Sequence, residues 1–170
     1  TLTMNGVSKA YAMTGWRIGF ATGPRWLLGA MEKLQGQQTS GACSISQHAA
    51  VAALRGPKNF LYESREVFQR RRDLMVAMIN DTPGLYCAVP QGAFYAFADC
   101  AALLGKYSPG GRALHSDEDV ALALLEEANV AVVPGSAFGL AGYIRIAYAL
   151  NDGALSHACL AIQQFCRAVR

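Results

Sequence analysis

Hydrophobic positions change period several times along the chain, and each change predicts an element. Thr1 to Val7 alternates weakly, as a short strand does, and Trp16 to Gly23 is rich in β-forming residues, so two strands flank Ser8 and Lys9. Pro24 can open a helix at its first turn, and Leu27, Leu28, Met31 and Leu34 recur at helical spacing until Gly36. A loop follows, and Ser44 with Gln47 three residues on makes a capping-box pattern ahead of a helix over 48–54. Gly56-Pro57 ends that helix and starts the next. From Pro57 to Asn80 the apolar residues Phe60, Leu61, Val67, Phe68, Leu74, Met75, Met78 and Ile79 fall on one stripe opposite Arg and Glu, which predicts a long amphipathic helix of ~35 Å.

Thr82-Pro83-Gly84 breaks this helix, and the pattern then becomes mixed. Leu85 to Val89 and Ala93 to Phe97 read as strands separated by Pro90-Gln91-Gly92. After a Pro/Gly-rich loop over 105–111, Ser116 can cap a helix over Asp117 to Ala128, and Asn129 to Val133 reads as a buried strand. Tyr143 to Tyr148 is a further strand. Asn151 or Asp152 can cap a final helix whose apolar positions are Leu155, Cys159, Leu160, Ile162 and Phe165. The simplest organisation is a long helix joining the end of an α/β layer to a small α+β domain, with the boundary near Pro83, giving domains 1–82 and 83–170.

Composition narrows the class. At 170 residues, 52% hydrophobic and 16% charged, the chain is a folded globular protein. Its apolar runs fall far short of the ~18 residues of a membrane span. The net charge is only +3, and Arg70, Arg71 and Arg72 are opposed by Glu63, Glu66 and Asp73, so there is no basic stripe for nucleic acid. Five cysteines at spacings of 44, 13, 59 and 7 match neither CxxC metal pairs nor a compact disulfide framework and read as free thiols of a cytoplasmic protein. His48, His115 and His157 form no ligand cluster and read as structural or solvated. The first residues, TLTMNGVSKAY, carry neither a signal peptide nor an initiating Met, and mean hydropathy is positive (+0.18); both suggest a piece that begins mid-protein.

The segment from Gly6 to Gly19 carries candidate chemistry. Lys9 ends a predicted strand in an apolar neighbourhood, where an amine can be desolvated and made nucleophilic. Arg17 lies beside Trp16, with Gly15 and Gly19 permitting close backbone approach, and a guanidinium suits a phosphate dianion. Taken alone, the pair fits either a pyridoxal-phosphate site or an ordinary loop lysine and a surface ion-pairing arginine. Further on, VAVVPGSAFG leads into Gly142-Tyr-Ile-Arg-Ile-Ala-Tyr148, where Arg145 stands alone among apolar residues. A lone strand arginine is costly unless it pairs with a carboxylate or binds an anion.

The string SKAYAMTGWRIGFATGP resembles the pyridoxal-phosphate lysine segment of the class I and II aminotransferases of fold type I, the bacterial aspartate aminotransferases especially. PGSAFG followed by RIAYA resembles the family's PGSxFG…RxxxA segment, and PQGAFY its small-domain turn and strand. The resemblance implies that Lys9 forms the Schiff base with pyridoxal 5′-phosphate and shuttles a proton between substrate Cα and cofactor C4′. It further implies that Arg17 binds the cofactor phosphate, that Ser8 adds a hydroxyl to it, and that Arg145 grips the substrate α-carboxylate in a bidentate fork. Phe94 and Tyr95 would be core or wall residues, and the Gln35 to Ser46 loop would reach toward a neighbouring subunit.

The resemblance runs through essentially the whole chain but only the C-terminal portion of the family's length. It implies an α/β fold: the last strands and helices of the large domain plus a complete small α+β domain. The substrates would be aspartate and 2-oxoglutarate, and the intact protein a homodimer. The family's groups for the pyridine nitrogen, ring stacking and ring hydroxyl lie upstream, so the 170 residues alone are expected to be inactive. Two other readings share these motifs: a different fold type I enzyme such as a lyase or synthase, and an aminotransferase-like ligand-sensing domain of a transcriptional regulator.

Overall fold

The computed structural model describes residues 1–170, and the chain divides into two compact units, Thr1–Ser64 and Arg65–Arg170. In the first unit, β1 (Thr3–Gly6) and β2 (Gly19–Thr22) form an antiparallel ribbon in which Gly6 pairs with Gly19. Helices α1 (Arg25–Gln38) and α2 (Ser44–Arg55) follow, and then the start of α3 (Asn59–Asn80). Pro24 sits at the N-cap of α1, where its missing N–H costs nothing. The helix runs on past Gly36, so the loop before α2 is shorter than the Gln35 to Ser46 stretch expected. Cys43, not Ser44, is the N-cap of α2, and no side chain caps it, so the capping box expected from Ser44 and Gln47 does not form. Instead, Gln47 Nε2 donates to the Ala42 carbonyl at 2.8 Å.

Few residues of this unit are buried; among its hydrophobics only Val7 and Ala50 are. No residue of α1 is buried. Trp26, Met4, Ile45 and Leu34 are each more than 60% exposed. The faces of α1 and α2 patterned for burial are therefore open.

The second unit has a closed core. A three-stranded antiparallel sheet in the order β3 (Tyr95–Asp99), β5 (Tyr143–Ala147), β4 (Val133–Pro134) turns Ala96, Ala98, Ile144 and Ile146 inward. Against that face pack Met75, Val76 and Ile79 of α3, Val120, Ala123 and Leu124 of α4 (Asp117–Ala128), and Leu155, Cys159, Ile162 and Phe165 of α5 (Asp152–Ala168). The C-terminal half of α3 belongs to this core, and the two compact units meet within the helix, between Ser64 and Arg65.

Both predicted caps of this unit form. Ser116 Oγ accepts from the Asp119 N–H while Asp119 accepts from the Ser116 N–H, and Asn151 Oδ1 accepts from the Ala154 N–H. Leu160, one of the apolar positions read on the final helix, is 48% exposed. Two predicted strands are largely absent. Across 85–89 only Tyr86 bridges to Asp99, because the Asn80 side chain takes both the N–H (2.7 Å) and the carbonyl (3.0 Å) of Cys87. Across 129–133, Asn129 adopts a left-handed conformation (φ 55°) and the N–H of Val130 bonds back to Leu124, so the segment ends α4 and only Val133 and Pro134 pair.

All five cysteines are unpaired, Cys43 exposed and the others buried. No helix is long and apolar enough to cross a membrane.

Candidate active site

The connection between β1 and β2 carries Ser8, Lys9 and Arg17, so the ribbon brings all three to one end of itself. The strands approach closely there: a Cβ at Gly6 would lie 3.3 Å from the Ile18 carbonyl oxygen, and one at Gly19 3.3 Å from that of Asn5. Gly15, also read as a close-approach position, faces open space. Val7 is fully buried and its carbonyl accepts from the Tyr11 N–H, while the Lys9 carbonyl accepts from the Ala12 N–H at 3.1 Å, so Lys9 stands in a tight turn. Tyr11 anchors the far side of that turn: its ring centroid is 5.7 Å from that of Phe60, with Lys58 Nζ 5.2 Å away. Lys58 itself is fixed by donating to the carbonyls of Ala53 and Leu54, both at 2.7 Å, at the end of α2.

Lys9 is exposed and Ser8 half-buried. The residues flanking Lys9 therefore do not bury it, and no desolvating pocket is built by them. Arg17 is exposed too and caps the 3-10 turn Thr14–Trp16 from a left-handed conformation (φ 49°) that a residue with a Cβ seldom adopts. Its Nη1 donates to the Thr14 carbonyl at 3.0 Å, leaving Nε and Nη2 for an anion. Ala12 shares the unusual conformation (φ 51°), and such strain concentrates where a chain holds a functional geometry. The connection thus carries an amine, a guanidinium and a hydroxyl, the groups by which an aldehyde-bearing phosphate ligand would be held.

Arg145 lies in β5, the central strand, opposite Phe97 on one side and Val133 on the other. Alternation puts Ile144 and Ile146 into the core and Arg145 on the other face with Tyr143. There the guanidinium carbon sits 4.3 Å from the Tyr95 ring centroid and 4.4 Å from that of Phe138, held between two aromatic faces. Phe97 completes the cluster, stacked on Tyr143 at 5.3 Å and edge-on to Phe138 at 6.2 Å. None of the five ion pairs of the chain involves Arg145. The rings contribute on the order of 1 kcal/mol of cation–π attraction. The planar donor edge is left for an external carboxylate.

Tyr95 was legible in the sequence as a wall residue. Phe94 is the core-side partner, 4.4 Å from the Tyr95 ring and 6.2 Å from Phe68. Phe138 escaped the sequence reading although it lies within PGSAFG. Asp117, which holds the loop carrying Phe138, gave no signal beyond its place at the start of a helix. His48, His115 and His157 are all exposed.

Residues 1–162 match the family model for aminotransferase class I and II. Over the whole chain the sequence is 55% identical to a probable aspartate/prephenate aminotransferase of Rhizobium leguminosarum bv. phaseoli, of which it covers 42%. It is 57% identical over 98% of its length to an aspartate aminotransferase of Rhizobium meliloti strain 1021, covering 40% of that protein. The crystal structure of the aspartate aminotransferase from Rhizobium meliloti superposes with a TM-score of 0.95 at 55% identity, over all of this chain and 42% of that one. An aromatic aminotransferase from Pyrococcus horikoshii superposes at 0.85 with 36% identity, over 96% of this chain and 42% of that one. The chain thus spans about two fifths of the length of the relatives it matches.

Proposed function

Because the chain belongs to the class I and II aminotransferases, we propose that the intact protein moves an amino group from aspartate to 2-oxoglutarate with pyridoxal 5′-phosphate as cofactor. In this reading residues 1–82 end the large cofactor-binding domain and its linking helix, and 83–170 form the small domain. The observation that carries it is Arg145, a guanidinium clasped by Tyr95 and Phe138 with no carboxylate of its own chain to neutralise it. Relatives named aspartate aminotransferase at 54–57% identity support transamination over a lyase, synthase or ligand-sensing role. Prephenate is a second acceptor to assay, since relatives at 55–56% identity carry the name aspartate/prephenate aminotransferase.

Pyridoxal phosphate, when bound, supplies an aldehyde that condenses with amines and a ring that accepts the electrons released at the substrate Cα. The chain's residues would do the rest. Lys9 Nζ would hold the cofactor through its aldehyde and would carry the substrate Cα proton as general base and then acid. Arg17 and Ser8 fix the phosphate end, and Arg145 orients the substrate through its α-carboxylate. The protein acts as a cytoplasmic homodimer, and the 170 residues alone are inactive, because the groups expected around the cofactor ring are not among them.

Incubation of the intact protein with pyridoxal phosphate, borohydride reduction and peptide mass spectrometry tests the assignment. Four lysines compete, Lys9, Lys33, Lys58 and Lys106. The adduct is expected on Lys9 and is weakened by Arg17→Ala; an intact protein that leaves Lys9 unlabelled would end the aminotransferase reading.

A further inference from the structure

Asp117 is a buried carboxylate, 2% exposed, that no cation neutralises. It is the first residue of α4, yet its two oxygens do not serve that helix alone. Oδ2 accepts from the N–H of Ser136 at 2.7 Å and Oδ1 from the N–H of Gly142 at 3.3 Å. These donors are the two ends of the loop that carries Phe138, so one carboxylate pins both ends. The loop is tight at its start: a Cβ at Gly135 would lie 2.4 Å from the Leu140 carbonyl oxygen and 2.7 Å from Tyr143 Cβ. Inside it, the Leu140 N–H bonds to the Gly135 carbonyl and the Gly139 N–H to that of Ser136. The loop therefore moves as one piece when its ends move. Its outward product is the Phe138 ring, 50% exposed and resting 4.4 Å from the guanidinium carbon of Arg145.

We propose that Asp117 and Phe138 are positioning residues for Arg145: the carboxylate fixes the loop, and the ring it carries holds the guanidinium flat against Tyr95 in the orientation that receives a carboxylate. The inference rests on the reading of Arg145 as the substrate-carboxylate residue. An unbuttressed arginine samples many rotamers, and binding a planar anion in two parallel hydrogen bonds then costs the entropy of fixing it. Buttressing removes that cost before the substrate arrives. An amide at position 117 accepts at one oxygen only and presents an NH2 to the second N–H, so Asp117→Asn keeps the size of the side chain and releases one end of the loop.

The test is steady-state kinetics on the intact enzyme with Arg145→Ala, Asp117→Asn, Phe138→Leu, and each of the last two combined with the first. Both positioning variants are expected to raise KM for aspartate about three- to tenfold while kcat stays within about twofold, the signature of lost substrate binding without lost chemistry. Added to Arg145→Ala, neither is expected to raise KM further, because the residue through which they act is gone. Arg145→Ala with an unchanged KM would overturn the carboxylate reading itself. A raised KM for Arg145→Ala with an unchanged KM for Phe138→Leu, or additive effects in the double variants, would leave that reading intact and overturn the positioning role. Should Asp117→Asn fail to fold, Phe138→Leu decides, since it removes an exposed ring and leaves the pinned loop untouched.

Discussion

Among single residues, the thiols are separated most clearly by their surroundings. Burial pushes Cys100 up to about 12, with the charges of Asp117 and Asp99 adding to it, and burial alone takes Cys166 to about 12 and Cys159 to about 11. Cys87 is raised for the same reason. Cys43 is exposed ahead of α2, and the N–H groups of Ser46 and Ile45 lower its thiol. Iodoacetamide at mild alkaline pH is therefore expected to modify Cys43 in the native protein and the other four only after denaturation; comparable rates at Cys100 or Cys166 would contradict a closed core. The sign of the pH effect follows. A thiol whose pKa is raised by folding stabilises the native state fully below the ordinary value of 9.0 and loses that contribution as pH climbs toward 11 and 12.

The elements illustrate which local signals survive folding. Ser116 and Ser44 both stand three residues before a side chain suited to a capping box, but only Ser116 forms one, because Cys43 occupies the cap of α2 and leaves Ser44 inside the first turn. Ser116→Ala is accordingly expected to lower stability by about 1 kcal/mol and Ser44→Ala by far less. Urea denaturation of both variants measures the difference, and equal losses would refute the assignment of caps. The long helix was plain from its stripe, and α3 spans Asn59–Asn80 much as expected. Four of the six expected strands form near their predicted positions, and those over 85–89 and 129–133 do not. Leu85 to Val89 has the right residues, yet the Asn80 side chain claims the backbone of Cys87 before another strand can.

At the scale of the whole chain, the contrast lies in how far each unit closes. The second unit buries one continuous cluster running from Met75 to Cys166. The first leaves Trp26, Met4 and Ile45 in solvent. Backbone hydrogen bonds protected by a closed core open only with the unit as a whole, whereas those under an open face open locally. Hydrogen exchange on the 170-residue chain is expected to be faster throughout residues 1–64 than in α3 beyond Arg65, α4, α5 and β5. Equal protection would mean that the first unit is stabilised by something other than its own burial.

The motif around Lys9, the stripe of α3, the caps at Ser116 and Asn151 and the lone arginine of β5 are properties of neighbouring residues, so the sequence determined them by itself. Helix period and capping act within a few positions, and a chemical motif is a run of side chains. Tertiary structure alone decided that Phe138 and Tyr95 close on Arg145 and that Asp117 pins the loop from the start of α4. Each of these depends on a partner brought near by folding, and a hydrogen bond or ring contact between distant positions leaves no periodicity in the chain that forms it.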